Sequence, residues 1–447
     1  MDHVVTLASP AEKFLYSYKR YRYYYTFIQR LYKYTIPEKK CVLHIGCGDG
    51  FILSALKPTY ALGIDDSSFK PLFNVKNGHF LGSLNAYKET TTFDYIIVSA
   101  AQLKGADDIQ ELFKSLRLFS DSHTRIILEY SWGSLLPITP ADMRLFCELS
   151  NLEIITEKNE LLLPIGVPMV ADFLNYIVAR LPLVKNLCTM RIFVTRILKQ
   201  VTDDTSKKFS VSVIIPCKNE AGNIEGAIAR TPTMGNFTEF ILIDGHSQDG
   251  SIATMKNMVT KYPEKKISWF VQTAKGKKNA VEEGFARAQG DIVMILDGDI
   301  TVIPEELPKF YEALVSGKGE CINGTRLVYP MEREAMQPLN WMINWIFGFF
   351  ISYLIGQRVK DTLCGTKVFF KKDLYIISES KRFFGDMDPF GDFDILCGAA
   401  YCNLKILDMP VHYKKRTYGA PGVAFFKSGL LLLSMTFVVF KKLFLRR

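Results

Sequence analysis

The sequence contains no Cys-x-x-Cys pair, no internal repeat and no low-complexity tract. Its nine cysteines (41, 47, 147, 188, 217, 321, 364, 397 and 402) are odd in number and scattered along the chain. That pattern excludes a disulfide scaffold, argues against a zinc site, and reads as reduced thiols in a cytosolic compartment. Met1 to Pro10 has no basic region followed by an apolar core, so no signal peptide is expected. The composition also excludes disordered and collagen-like classes.

What is present is apolar mass with a basic balance. Hydrophobic residues make up 48% and charged residues 23% of 447, enough for large cores. At about 150 residues per domain the length gives a soft prior of about three domains. The mean hydropathy of +0.08 is high for so charged a chain, so apolar surface is concentrated somewhere. Lys+Arg 55 against Asp+Glu 46 gives +9, an excess that attracts nucleic acid, anionic lipid or phosphorylated substrates.

Three segments stand apart from any obvious core. Residues 13–34, KFLYSYKRYRYYYTFIQRLYKY, interleave Tyr with Lys and Arg. They read as a helix covering its own domain, the sharper alternative being an interfacial helix with aromatic and basic anchors. Nucleic-acid binding needs such a cluster to form a recognition element; here it only precedes a domain, so no nucleic acid is expected. Leu339 to Gly356 carries no charge over eighteen residues, and Val423 to Phe440 is broken only by Lys427 before the basic end KKLFLRR. As helices of about 27 Å, both fall just short of a bilayer core of about 30 Å.

The polar stretch KQVTDDTSKKFS, Lys199 to Ser210, divides two halves that open alike, CVLHIGCGDG and VSVIIPCKNE. Apolar strands followed by helical patterns predict two α/β domains with parallel sheets covered on both faces. The expected boundaries are 1–198, a linker over 199–209, 210–422, and an apolar and basic membrane-associated segment over 423–447.

In the first half, the strand CVL runs into His44-Ile45-Gly46-Cys47-Gly48-Asp49-Gly50, then a helical pattern. Alternate glycines let backbone approach a ligand closely. A second strand ends at Asp65, placed to accept from ribose hydroxyls, and a third begins at Phe93. Over about residues 40–150 this constellation resembles the class I S-adenosylmethionine-dependent methyltransferases. The resemblance implies that Gly46, Gly48 and Gly50 border the methionine part of S-adenosylmethionine and Asp65 its ribose. His44 stands where the family usually has an acid, and no catalytic base is identifiable. Methyl transfer often needs little beyond alignment.

The second half is denser in motifs. Val211–Ile215 leads to Pro216, Asn219 and Glu220; EFILID ends at Asp244; DIVMILDGD ends in Asp297-Gly298-Asp299. Acids at the carboxyl ends of parallel strands lie where open α/β sheets bind ligands. Two carboxylates past one strand suit Mg²⁺ or Mn²⁺, which take oxygen ligands including substrate phosphates. This order of motifs, over about residues 209–418, resembles family 2 glycosyltransferases of the GT-A fold, within them the polyprenyl-phosphate (dolichol-phosphate type) sugar transferases.

That resemblance implies that Pro216, Glu220 and Asp244 bind the nucleotide base and ribose, and that Asp297 and Asp299 hold the diphosphate and its metal. Lys277 would approach the same region, and Arg326 in Gly324-Thr-Arg326 would face phosphate charge. Asp361-Thr-Leu-Cys-Gly365-Thr-Lys367 resembles a segment bordering sugar and acceptor; Phe390-Gly391-Asp392-Phe393-Asp394 resembles the acidic motif on the acceptor side. DMPVHYKKRTYG places Lys414, Lys415 and Arg416 on a strand and its turn; alternation then makes Lys414 and Arg416 the phosphate pair. Ala420-Pro421 departs from the polar residues common in the family.

The expected reaction is an inverting transfer from a nucleotide-diphosphate sugar. A hydroxyl of a glycan acceptor needs a general base, for which Asp361, Asp392 and Asp394 are candidates. A polyprenyl phosphate is already an anion and needs only cations, which Arg326, Lys367, Lys414 and Arg416 offer beside two apolar stretches. That combination favours the lipid phosphate, handled at the cytosolic face of a membrane by peripheral or monotopic attachment, with a C-terminal anchor as the alternative.

Overall fold

The computed structural model describes residues 18, 20–65, 73–87, 91–99, 106–131, 139–181, 183–198, 209–332, 335–379, 391–418 and 433–444. They fall into two compact units divided after Leu198. The polar stretch 199–208 lies outside the described residues, as do residues 13–17, 19 and 419–432.

The first unit is built on seven strands: β1 (Cys41–Ile45), β2 (Tyr60–Ile64), β3 (Gly78–Leu81), β4 (Tyr95–Val98), β5 (Arg125–Ser131), β6 (Leu152–Glu160) and β7 (Met190–Ile197). Their order is β3-β2-β1-β4-β5-β7-β6. β1 to β5 run parallel, whereas β7 is antiparallel to both β5 and β6. Strand periodicity sorts the core into two layers. Val42, Ala61, Ile97 and Ile127 face one cluster; Leu43, Leu62, Ile96 and Ile126 face the other. The helix Arg22–Thr35 covers the first face, burying Phe27, Ile28, Leu31 and Tyr32. The Tyr-rich segment therefore packs on its own unit over the described residues.

The second unit carries β8 (Val211–Cys217), β9 (Thr238–Asp244), β10 (Lys266–Val271), β11 (Ile292–Ile295), β12 (Cys321–Thr325), β13 (Lys367–Phe370) and β14 (Ile406–Pro410), in the order β10-β9-β8-β11-β13-β12-β14. β8, β9, β10 and β11 are parallel; β13 runs antiparallel between β11 and β12. Val211, Val213 and Ile215 share a core with Phe240, Leu242, Ile292 and Met294. The chain order reverses between β8 and β11, so their carboxyl ends open the crevice where such sheets take ligands.

The helix Pro338–Ile355 is long and apolar enough to cross a membrane by length and composition. Its inner face buries Asn344, Phe347, Gly348, Ile351 and Ile355, while Trp341, Trp345, Phe349 and Phe350 are exposed. The second apolar stretch is described only from Leu433. None of the nine cysteines forms a disulfide; Cys41 is half-buried and the others are buried. Burial pushes the thiols of Cys47, Cys147 and Cys321 up to about 12.

Candidate active site

The carboxyl edge of the second sheet gathers acids from several elements and sets a cation against most of them. Asp297 and Asp299 follow β11, and their carboxylates are held from different directions. Lys277, the first residue of the helix Lys277–Arg287, lies 2.7 Å from Asp297 and 3.3 Å from Asp392. Burial opposes the charge on both members of the first pair. The two carboxylates nevertheless keep the Lys277 ammonium well above an ordinary lysine, and Lys277 keeps Asp297 below the usual carboxylate range. Asp299 accepts from Thr301 Oγ1 at 2.9 Å and is paired with Arg416, whose Nη1 also reaches Glu220 at 3.2 Å. Burial raises the Glu220 carboxyl, against the pull of Asn223 and Arg416.

Gly365 is fixed here by space. A Cβ at this position would run into both carboxylate oxygens of Asp297 and into Lys277 Nζ. The Asp361–Lys367 segment thus lies directly against the acid–lysine pair, and only glycine admits that approach.

Asp244 is fully buried at the end of β9. Its Oδ2 accepts from Ser247 N at 3.1 Å, while Oδ1 has no hydrogen-bond partner. An unpartnered buried carboxylate oxygen is costly, and a ligand donor would satisfy it. Pro216 is half-buried next to it, paired in register with Ile243. Asp249, which sequence reasoning passed over, accepts from Ala221 N at 3.1 Å and Tyr418 Oη at 3.2 Å. These bonds and those from Ser251 outweigh burial and lower its carboxyl.

Asp361 is placed differently from a general base. It is fully buried and makes a two-pronged pair with Arg326, Nε to Oδ2 at 2.7 Å and Nη2 to Oδ1 at 2.9 Å. Asn344 Nδ2 donates to Oδ1 at 2.7 Å. Burial would raise this carboxyl, but Arg326 and Asn344 overrule it and hold it at about 2. A carboxylate held so firmly as the anion is a poor proton acceptor. Asp392 lies 3.8 Å from Lys367 as well as near Lys277, and Asp394 is 2.6 Å from Lys278. Each of the three candidate bases is therefore ion-paired.

Two predicted cations are placed otherwise than expected. β14 ends at Pro410, and Tyr413 forms only an isolated bridge with Val302, so Lys414 and Arg416 do not share a strand face. Arg416 enters the site, whereas Lys414 is exposed. Lys367 is fully buried, with Nζ 2.6 Å from the Cys364 carbonyl, so it braces the segment below Gly365.

The donor set at Asp297 and Asp299 fits a hard cation. Among the described residues no three ligating side chains converge. Two carboxylates completed by diphosphate oxygens and water are what Mg²⁺ ordinarily uses.

In the first unit the glycine loop follows β1 with Gly46, Gly48 and Gly50 at φ 78°, 54° and 83°. A Cβ on Gly48 would meet nothing within 4 Å, so open space lies over the loop there. Asp65 does not stand free at the end of β2: its Oδ2 accepts from Gly48 N at 2.6 Å. His44 Nε2 lies 2.9 Å from Ser99 Oγ, and burial pushes its imidazole down to about 3. His44 is thus neutral.

Residues 212–376 match the family model described as Glycosyl transferase family 2. Over 120 residues the chain is 36% identical to a dolichol-phosphate mannosyltransferase of Pyrococcus furiosus, covering 26% of this chain and 33% of the relative. Over 111 residues it is 32% identical to an undecaprenyl-phosphate 4-deoxy-4-formamido-L-arabinose transferase of Aeromonas hydrophila, covering 24% and 34%. The chain thus spans about a third of the length of these relatives. A glucosyl-3-phosphoglycerate synthase from Mycobacterium tuberculosis superposes with a TM-score of 0.38 at 16% identity, over 53% of this chain and 80% of that one.

Proposed function

We propose that the second unit is a metal-dependent, inverting glycosyltransferase that moves a sugar from a nucleotide-diphosphate donor to a polyprenyl phosphate. The observation that carries this reading is the pairing of every candidate base. Asp361 is locked by Arg326, and Asp392 and Asp394 are held by lysines. A hydroxyl acceptor must lose a proton to such a group, whereas a lipid phosphate arrives as the nucleophile. The family match over 212–376 and the polyprenyl-phosphate relatives agree with it.

In this reading an acceptor phosphate oxygen attacks the anomeric carbon, the bond from that carbon to the diphosphate breaks, and the nucleoside diphosphate leaves. Asp244 offers its unpartnered oxygen to the nucleoside. Asp297 and Asp299 would hold the divalent cation, which supplies neutralisation of charge growing on the leaving group. Lys277 and Arg416, already against these carboxylates, keep positive charge beside the diphosphate. Arg326 fixes Asp361 and the segment up to Gly365. The exposed aromatic face of Pro338–Ile355 lies in the membrane interface, bringing the lipid to the acceptor side. The test is transfer from a radiolabelled nucleotide sugar to polyprenyl phosphate in vesicles by the full chain; product on a glycan hydroxyl alone would sink the assignment.

The first unit is read as a class I methyltransferase-like domain that binds S-adenosylmethionine on its glycine loop. Support comes from the three positive-φ glycines, the open space over Gly48 and the reversal of strand order at β1 and β4. Calorimetry with S-adenosylmethionine decides it: absence of binding would leave the unit without this cofactor.

A further inference from the structure

The connection between β6 and β7, residues 161–189, leaves the first sheet where Ser131 pairs with Met190. Ser131 ends β5, so the connection stands at the carboxyl edge of the parallel strands. It exposes Ile165, Val167, Met169, Phe173, Leu183 and Leu187, with Met169 88% and Leu183 92% accessible. Large apolar side chains bared together on one connection mark a contact surface.

Two of them, Val167 and Met169, also line a cavity of about 400 Å³ between this connection and the helix Arg22–Thr35, a size typical of small-ligand pockets. Arg22, Thr26 and Arg30 line it at i, i+4 and i+8, one face of the helix. Met169 and Asp172 line it as well. Asp172, the only acid in the lining among the described residues, accepts from the Tyr23 hydroxyl at 3.0 Å, which also receives Asn175 Nδ2 at 3.2 Å. Among the described residues neither arginine makes an ion pair, and Lys185 on the connection is exposed. The cavity thus carries two guanidinium groups suited to phosphate oxygens, and its rim is aliphatic. A free anion would use the first feature and leave the second idle; a lipid uses both.

We propose that this cavity binds the phosphate headgroup of an anionic lipid while the bared side chains of residues 165–187 enter the acyl boundary of the bilayer. The surface belongs to the first unit alone and depends on neither transfer reading. It follows the physics of monotopic attachment, in which apolar insertion and basic attraction act together.

The test is hydrogen–deuterium exchange of the full chain, read over residues 161–189, with phosphatidylglycerol vesicles, phosphatidylcholine vesicles or inorganic phosphate. Protection with phosphatidylglycerol alone is expected. The pair Arg22→Gln and Arg30→Gln, both exposed positions, should raise the half-saturating phosphatidylglycerol concentration about thirty-fold. Leu183→Ser should weaken protection with the charges intact, and it keeps the test decisive if the double variant melts early. Equal protection on phosphatidylcholine, protection by inorganic phosphate alone, or indifference to these substitutions overturns the proposal. Protection that grows with protein concentration in the absence of vesicles assigns the surface to a second copy and overturns it too.

Discussion

Asn344 donates its side-chain amide to Asp361 at 2.7 Å from the buried side of a helix whose opposite side bares tryptophan and phenylalanine. One amide therefore ties the apolar helix to the carboxylate that fixes Arg326. Asn344→Leu leaves that oxygen a bond short, at a cost of about 1–3 kcal/mol in denaturant unfolding. In vesicle assays the KM for the lipid acceptor should rise more than kcat falls. An unchanged KM together with unchanged stability would dissolve the link.

Gly365→Ala places a methyl group where the Asp297 carboxylate and Lys277 ammonium now stand. Displacing reacting groups by about 1 Å can cost about a hundredfold in rate. Transfer should fall by that order while the circular-dichroism spectrum is preserved. Activity within twofold of wild type would show that the pair has room to move.

Asp299→Asn removes one of the two carboxylates proposed to hold a divalent cation and weakens the hold on Arg416. Transfer should drop by orders of magnitude, and chelation of the unaltered protein should do the same, reversed by Mg²⁺ or Mn²⁺. Full turnover in the presence of chelator is the outcome that contradicts a metal on this edge.

The pH dependence of stability has a definite sign. Asp361 sits at about 2 in the folded chain against an ordinary value of 3.8. A depressed carboxyl contributes stability above its unfolded value, and that contribution is lost as pH falls from about 4 through about 2. Its size is about 2 kcal/mol. Asp361→Asn should therefore be less stable at neutral pH, and the gap to wild type should narrow on acidification. A gap that stays constant down to pH 2 would falsify the pairing as the source.

Asp65→Ala removes the carboxylate bonded to Gly48 N and should weaken S-adenosylmethionine binding at least about tenfold by loosening the loop. Sugar transfer is expected to be unaffected. Calorimetry and the transfer assay on one preparation separate the two effects.

What the sequence made legible was local. The apolar strand before Asp297 and the glycine spacing before Phe51 are short-range patterns, and the structure puts both at carboxyl edges. Pairings across long separations were not legible. Arg416 is 117 residues from Asp299, and Asn344 reaches Asp361 from a helix that hydropathy reads as uniformly apolar. Lys277 and Lys278 are alike in the sequence, yet in the structure they divide Asp392 and Asp394 between them. Lys414 escapes the alternation rule because the strand ends at Pro410. Lys367 reads as a free cation on paper; only packing shows that it is sealed beneath Cys364.

The inventory of thiols turns the chain into its own reporter. With only Cys41 half-exposed and the others shielded, a mild alkylating reagent should modify the native protein slowly and nearly at one position. Each further modified site then registers an opening event, and peptide mapping says where: Cys47, Cys147 and Cys188 lie before residue 199, Cys217 and the later four after it. Modification rates followed site by site would rank the two halves by how often each breathes, without any introduced label.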